Sequence, residues 1–199
     1  MTQSPYQAAI NAFDQANSQD PNVEISDGRE CPKELLYAQR MSDMQERYAP
    51  EASEAVKLAV RAQHIQRWKS PRSDYPMDKP GYMLWRTGLY KFHAETAGAL
   101  MKEAGYDDEM IERVKTIVSK KGLKTNPETQ LMEDVVDLVF IEHYMIGFAG
   151  SHPEYDEAKW ILIVRKTWNK MSERAHEFAL AGNIKLPEAL VPLILKAIQ

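Results

Sequence analysis

The chain has one cysteine, Cys31, among 199 residues. A lone thiol excludes an intrachain disulfide framework and any multi-cysteine zinc module. It fits a reducing compartment, and a cytoplasmic location is expected. Glycine is scarce at 9 residues, and proline contributes 11. Alternating apolar and polar runs are nearly absent, so little of the chain reads as sheet. No run reaches the roughly 18 apolar residues of a spanning helix. The most apolar stretch, residues 135–148, is broken by Asp137, Glu142 and His143. The opening MTQSPYQAAINAFDQ lacks the basic and apolar parts of a secretory leader. No membrane partner is expected. Positive charge is also short: 25 Lys and Arg against 29 Asp and Glu leave a net charge of −4. A nucleic-acid coat role needs a basic excess and is disfavoured.

What the chain does have is helical spacing. Hydrophobic residues make up 44%, enough for a sizeable core at this length. The pattern predicts an all-α fold, a single-domain helical bundle over residues 1–199. Helices are expected at about 6–17, 33–47, 53–68, 82–104, 108–121 and 126–147, with further C-terminal helices broken near Gly182 and Pro187. The segment between Ser18 and Pro32 reads as a polar loop. Pro71, Pro76 and Pro80 forbid helix through the next long loop. Such loops are often functional. The apolar C-terminal helix either packs on the core or forms a homodimer interface.

Three polar residues fall on faces that should be buried. His64 shares a face with Val60 and Trp68 in the segment RAQHIQRW. His93 sits in the stripe Leu89, Phe92, Thr96 and Leu100. Asp134 sits with Leu131, Leu138 and Ile141, and Asp137 competes with it. A buried imidazole needs a partner, and a buried carboxylate must be paired, protonated or metal-bound. Two histidines and one aspartate are a common divalent-metal ligand set. His64, His93 and Asp134 are therefore candidate ligands for one divalent ion: manganese, iron, zinc, nickel or magnesium. Each also reads as a satisfied core residue, the histidines as buried imidazoles bonded to a backbone carbonyl.

Basic residues gather around the same positions. Arg61 and Arg67 flank His64, and Arg72 lies in the proline-rich loop. Guanidinium suits bidentate contact with phosphate or carboxylate, so a small anionic substrate is expected. Gln63 and Trp68, in the same segment, join Arg61, Arg67 and Arg72 as candidate substrate contacts. Glu34 and Tyr37 share a side of the second helix and read as a pocket wall or as surface. Tyr75, Trp85 and Trp68 read as core aromatics or as a platform for a base or sugar.

The order of these residues, a His, a second His in the next helix and an Asp two helices on, resembles the HD-domain superfamily of metal-dependent phosphohydrolases over about residues 53–147. His93 is followed by Ala94 where that superfamily has Asp, so one carboxylate ligand is missing. Lys120 and Lys121 stand near where two-metal members have further histidines. The stretches GRECPKELLYAQRM, ASEAVKLAVRAQHIQRWKSPRSDYPMDKPGYMLWR and LMEDVVDLVFIEHY also resemble the domain-of-unknown-function family 4202 across the whole chain.

The HD resemblance implies a metal-dependent phosphohydrolase for a nucleotide-like or phosphorylated substrate. In that reading Lys121 stabilises developing charge and Glu95 is a base acting at one remove. A degenerate HD fold that binds or senses without turnover is the alternative. A metal-dependent oxygenase of HD-like fold is the second.

Overall fold

The computed structural model describes residues 3–186 and 188–198 of the chain. The fold is all-α, as the spacing predicts, with one small hairpin added. The chain divides into two compact units, Met1–Met132 and Glu133–Gln199.

The first unit begins with α1, Pro5–Asn17, whose first turn is capped by Ser4 and opened by proline. The expected polar loop after it contains a hairpin, β1 Val23–Ser26 and β2 Arg29–Pro32, paired antiparallel from Val23↔Pro32 to Ser26↔Arg29. Asp27 and Gly28 make its turn, at φ 49° and 74°. Two positive φ values in a two-residue turn are what Asp-Gly supplies. That dipeptide was the signal in the sequence.

Helix α2, Lys33–Tyr48, follows at once. Its Ncap is Pro32, which has no side-chain oxygen. The buried Asp20 carboxylate serves instead, accepting from Glu34 N at 3.0 Å and from Asn22 N at 2.9 Å. This fixes the first turn of α2, and with it Glu34.

Helix α3 is Glu54–Ala62 and ends six residues before the end the spacing predicts. The chain leaves the helical path because Gln66 is left-handed, at φ 51°. Its N–H donates to the buried Asn17 Oδ1 at 2.9 Å, at the end of α1. That bond holds a conformation an L side chain otherwise avoids. His64 therefore sits in a turn rather than on a helical stripe with Val60 and Trp68.

Beyond two short 3₁₀ turns, Arg67–Lys69 and Arg72–Asp74, helix α4 runs from Lys79 to Glu103. Asp78 caps it, accepting from Gly81 N at 2.7 Å. Helix α5, Asp108–Val118, is capped by Asp107 and packs on α3 and α4. The fully buried side chains of this unit include Phe13, Met41, Met44, Leu58, Ile65, Met101 and Ile117. Around them α1 packs on α3 and α4, and α2 on α3.

Helix α6, Pro127–Val139, enters the second unit and continues as a π-helical segment, Phe140–Tyr144, then α7, Met145–Gly150. The expected single helix to Gly147 is thus widened in its middle. Helix α8, Glu157–Trp168, packs on α10, Val191–Ile198. Between them α9, Glu173–Phe178, is capped by Ser172. The expected break near Gly182 occurs at φ 80°, and Pro187 lies outside the described residues. Among the described residues no helix is long and apolar enough to cross a membrane.

Gly81 is needed where the proline-rich loop meets α4. A Cβ there would stand 2.0 Å from the Pro76 carbonyl oxygen, and backbone cannot yield as a flexible side chain does. Gly81→Ala should therefore destabilise the protein by about 1–3 kcal/mol, although alanine is the better helix former. Urea denaturation checks this, and a stabilised variant would contradict the close approach.

Candidate functional site

The site lies in the first unit, where the turn after α3 meets α2 and α4. The shortened α3 turns the Ile65 carbonyl toward α4. His93, 3% exposed on α4, has Nδ1 2.8 Å from that oxygen. A carbonyl only accepts, so Nδ1 carries the proton and donates. Nε2 is left as a bare lone pair, buried and with no hydrogen-bond partner. Burial and the neighbouring His64 hold this imidazole neutral, its pKa lowered to about 3.

His64 is its neighbour, with ring centroids 5.9 Å apart. The His64 ring stacks on Tyr37 at 4.1 Å and 16°. Its Nε2 lies 2.6 Å from Arg67 Nη1, and guanidinium only donates, so Nε2 is the acceptor. The remaining proton is on Nδ1, which faces Glu34 Oε2 at 3.4 Å. Burial, then Arg67, Lys120 and Lys33, push this imidazole well below its ordinary pKa. Glu34 is buried, and burial raises its carboxyl above the usual range against the pull of Arg67, Lys33 and His93.

Cations and aromatic rings surround the pair. Arg67 lies 5.1 Å over the Trp85 ring, which is anchored by its Nε1–H to Ser70 O at 2.8 Å. Tyr37 donates to the buried Gln63 Oε1 at 2.8 Å. The half-buried Lys120, left-handed at φ 57°, sets its Nζ 5.9 Å from the Tyr90 ring. Neutral imidazoles can ligate a metal, and the cations around them can attract an anion.

Of the residues singled out from the sequence, His64, His93, Arg67 and Gln63 are brought together here. Trp68 is half-buried in the adjoining 3₁₀ turn. Arg61 is committed elsewhere. It grips Asp14 through two bonds of 2.7 Å, and Ser42 Oγ accepts from it at 3.1 Å, tying α3 to α1 and α2. Arg72 donates to the backbone oxygens of Tyr75 and Asp78, stapling the proline-rich loop. Glu95 lies on the exposed side of α4 and pairs with Lys115 at 3.1 Å. Lys121 is exposed, and it is Lys120 whose charge reaches His64.

Asp134 belongs to the second unit. Its two oxygens accept from Ser172 N at 2.7 Å and Ser172 Oγ at 2.5 Å, at the start of α9. Asp137 and Glu133 share Lys170 Nζ, at 2.6 and 3.0 Å. Among the described residues, no three His, Cys, Asp or Glu side chains stand where they would together hold a metal ion.

The carboxylate beside the imidazoles is Glu34, and its spacing with Tyr37 was the sequence signal for it. Lys120 was singled out from the sequence beside Lys121, and its left-handed turn is what separates the two.

Residues 7–194 match the family described as a domain of unknown function, DUF4202. The chain belongs to this family. No curated protein and no solved structure matches it. Within this DUF4202 member, the imidazole pair combines buried ionisable groups with the open acceptor of His93 Nε2.

The buried neutral state of His93 has a consequence for stability. Its folded pKa is depressed from 6.5 to about 3, so below pH 6.5 the unfolded chain binds a proton that the folded chain refuses. Stability is full above that point and falls as the pH drops, by about 1.4 kcal/mol for each unit of pKa difference traversed. Urea denaturation at about pH 7.5 and about pH 5 should show a smaller loss for His93→Gln than for the wild-type chain. Equal losses would contradict the buried neutral imidazole.

Proposed function

We propose that the protein is a metal-dependent phosphohydrolase acting on a small anionic substrate. The observation that carries this reading is the His93 imidazole. Its Nδ1 is pinned to a backbone carbonyl, and its buried Nε2 lone pair has no partner. That is the tautomer and orientation in which proteins present histidine to a metal. His64 is the second nitrogen donor, its Nε2 now accepting from Arg67. His93 and His64 would hold one divalent ion. Such an ion would supply Lewis-acid chemistry at the phosphoryl group and an activated water.

The chain's own residues supply the rest. Arg67, Lys33 and Lys120 surround the imidazoles with positive charge and attract the anion. Arg67 suits a phosphoryl group through its planar fork, and the Trp85 face supports it from behind. The Glu34 carboxyl lies 3.4 Å from His64 Nδ1 and faces that edge of the ring. Tyr37, stacked on His64 and tied to Gln63, fixes the ring plane.

A second reading, a binding module without turnover, is favoured by the incomplete ligand set and by Arg67 seated on His64 Nε2. Metal analysis of freshly purified protein and hydrolysis of a panel of nucleotides and sugar phosphates separate the two. The phosphohydrolase reading expects a bound divalent ion, turnover lost on chelation, and turnover in His93→Ala reduced by at least about 100-fold, with metal content reduced too. Turnover that survives full chelation contradicts it. Ligand-induced thermal stabilisation with no turnover of any compound supports the binding module, and iron as the resident metal supports an oxygenase.

A further inference from the structure

Arg86 is half-buried on α4, and its guanidinium meets no carboxylate among the described residues. Its Nε donates to the Tyr90 hydroxyl at 2.6 Å and its Nη1 to the Tyr82 hydroxyl at 3.5 Å. Two phenols occupy two of five donors and bring no counter-charge. The contrast within the same unit is plain. Arg61 has Asp14, and Arg113 has Glu128. The two hydroxyls hold this partly desolvated cation charged without neutralising it, which leaves it able to attract an anion.

Arg86 is linked to the imidazole site through two chains of ring contacts. On one, Tyr82 meets Trp85 at 5.9 Å between centroids, and Trp85 carries Arg67 on its face. On the other, the Tyr90 ring carries Lys120, whose charge is felt at His64. The Tyr90 hydroxyl accepts from Arg86, so its own proton is left to donate to an anion oxygen. Among the described residues Arg67 forms no ion pair with a carboxylate, although its charge is felt at Glu34; it spends a donor on an imidazole. Two guanidiniums with donors to spare give two positions for anionic groups.

We propose that Arg86, Tyr90 and Lys120 form a subsite for a second anionic group of the substrate, so that the protein takes bis-anionic compounds, diphosphates above all, over simple monophosphates. This rests on the phosphoryl reading of the imidazole site and goes further by naming the substrate class. Arg67 takes one phosphoryl group, and Arg86 with the Tyr90 hydroxyl takes the other.

Titration calorimetry on the full chain tests this with inorganic pyrophosphate and orthophosphate as probes. Wild-type protein should bind pyrophosphate at least about tenfold more tightly than orthophosphate. Arg86→Gln should abolish that preference while changing orthophosphate affinity less than about twofold, and Arg67→Gln should weaken both probes. Tyr90→Phe keeps the ring and the cation, and should lose part of the preference; it serves if Arg86→Gln does not fold. A wild-type protein that binds both probes equally overturns the subsite alone. So does a preference that survives both Arg86→Gln and Tyr90→Phe. Binding of neither probe overturns the phosphoryl reading with it.

Discussion

The hydrogen bond from His93 Nδ1 to the Ile65 carbonyl is the constraint on which the site depends. It sets the tautomer, and the tautomer decides what the buried nitrogen can do. Without it the imidazole could turn and satisfy Nε2 in the core, and the cluster would be ordinary packing. The bond exists because α3 stops at Ala62 and frees the Ile65 carbonyl from the helix ladder. The stop depends in turn on Gln66, held left-handed by Asn17 at the far end of α1. Backbone strain in one turn thus positions a side chain on another helix. Strain of this kind persists only where surrounding structure over-determines it.

The helices themselves were legible because capping residues and periodicity agree. Ser53, Asp78, Asp107 and Asp156 each accept from a first-turn N–H of the helix they precede. The hairpin leaves no periodic trace, since each strand is four residues long and too short to show alternation. The α3 boundary could not be read either. Its cause is a contact between residues 17 and 66, and nothing local in RAQHIQRW reports it. That missing boundary explains why His64 and Trp68 do not share a helical face.

The site was partly legible. His64, His93 and Arg67 could be found because polar residues on buried faces require partners. Sequence could not say which partner each would take. Arg61 took Asp14, and Asp134 took Ser172, so these polar groups have partners within their own units. Glu34 became the carboxylate beside His64 because Asp20, capping α2 from outside the helix, fixes that first turn. Burial is therefore a guide to where ionisable groups are constrained. Geometry alone separates the constrained from the available.

The most direct measurement is the ¹⁵N NMR spectrum of the histidine side chains at neutral pH, with His93 assigned by substitution. The account expects a neutral His93 ring protonated at Nδ1 and bare at Nε2, unchanged as the solution is acidified well below the ordinary histidine pKa. A ring protonated at Nε2, or one that charges near its ordinary pKa, would contradict it, and the site built around that lone pair would go with it.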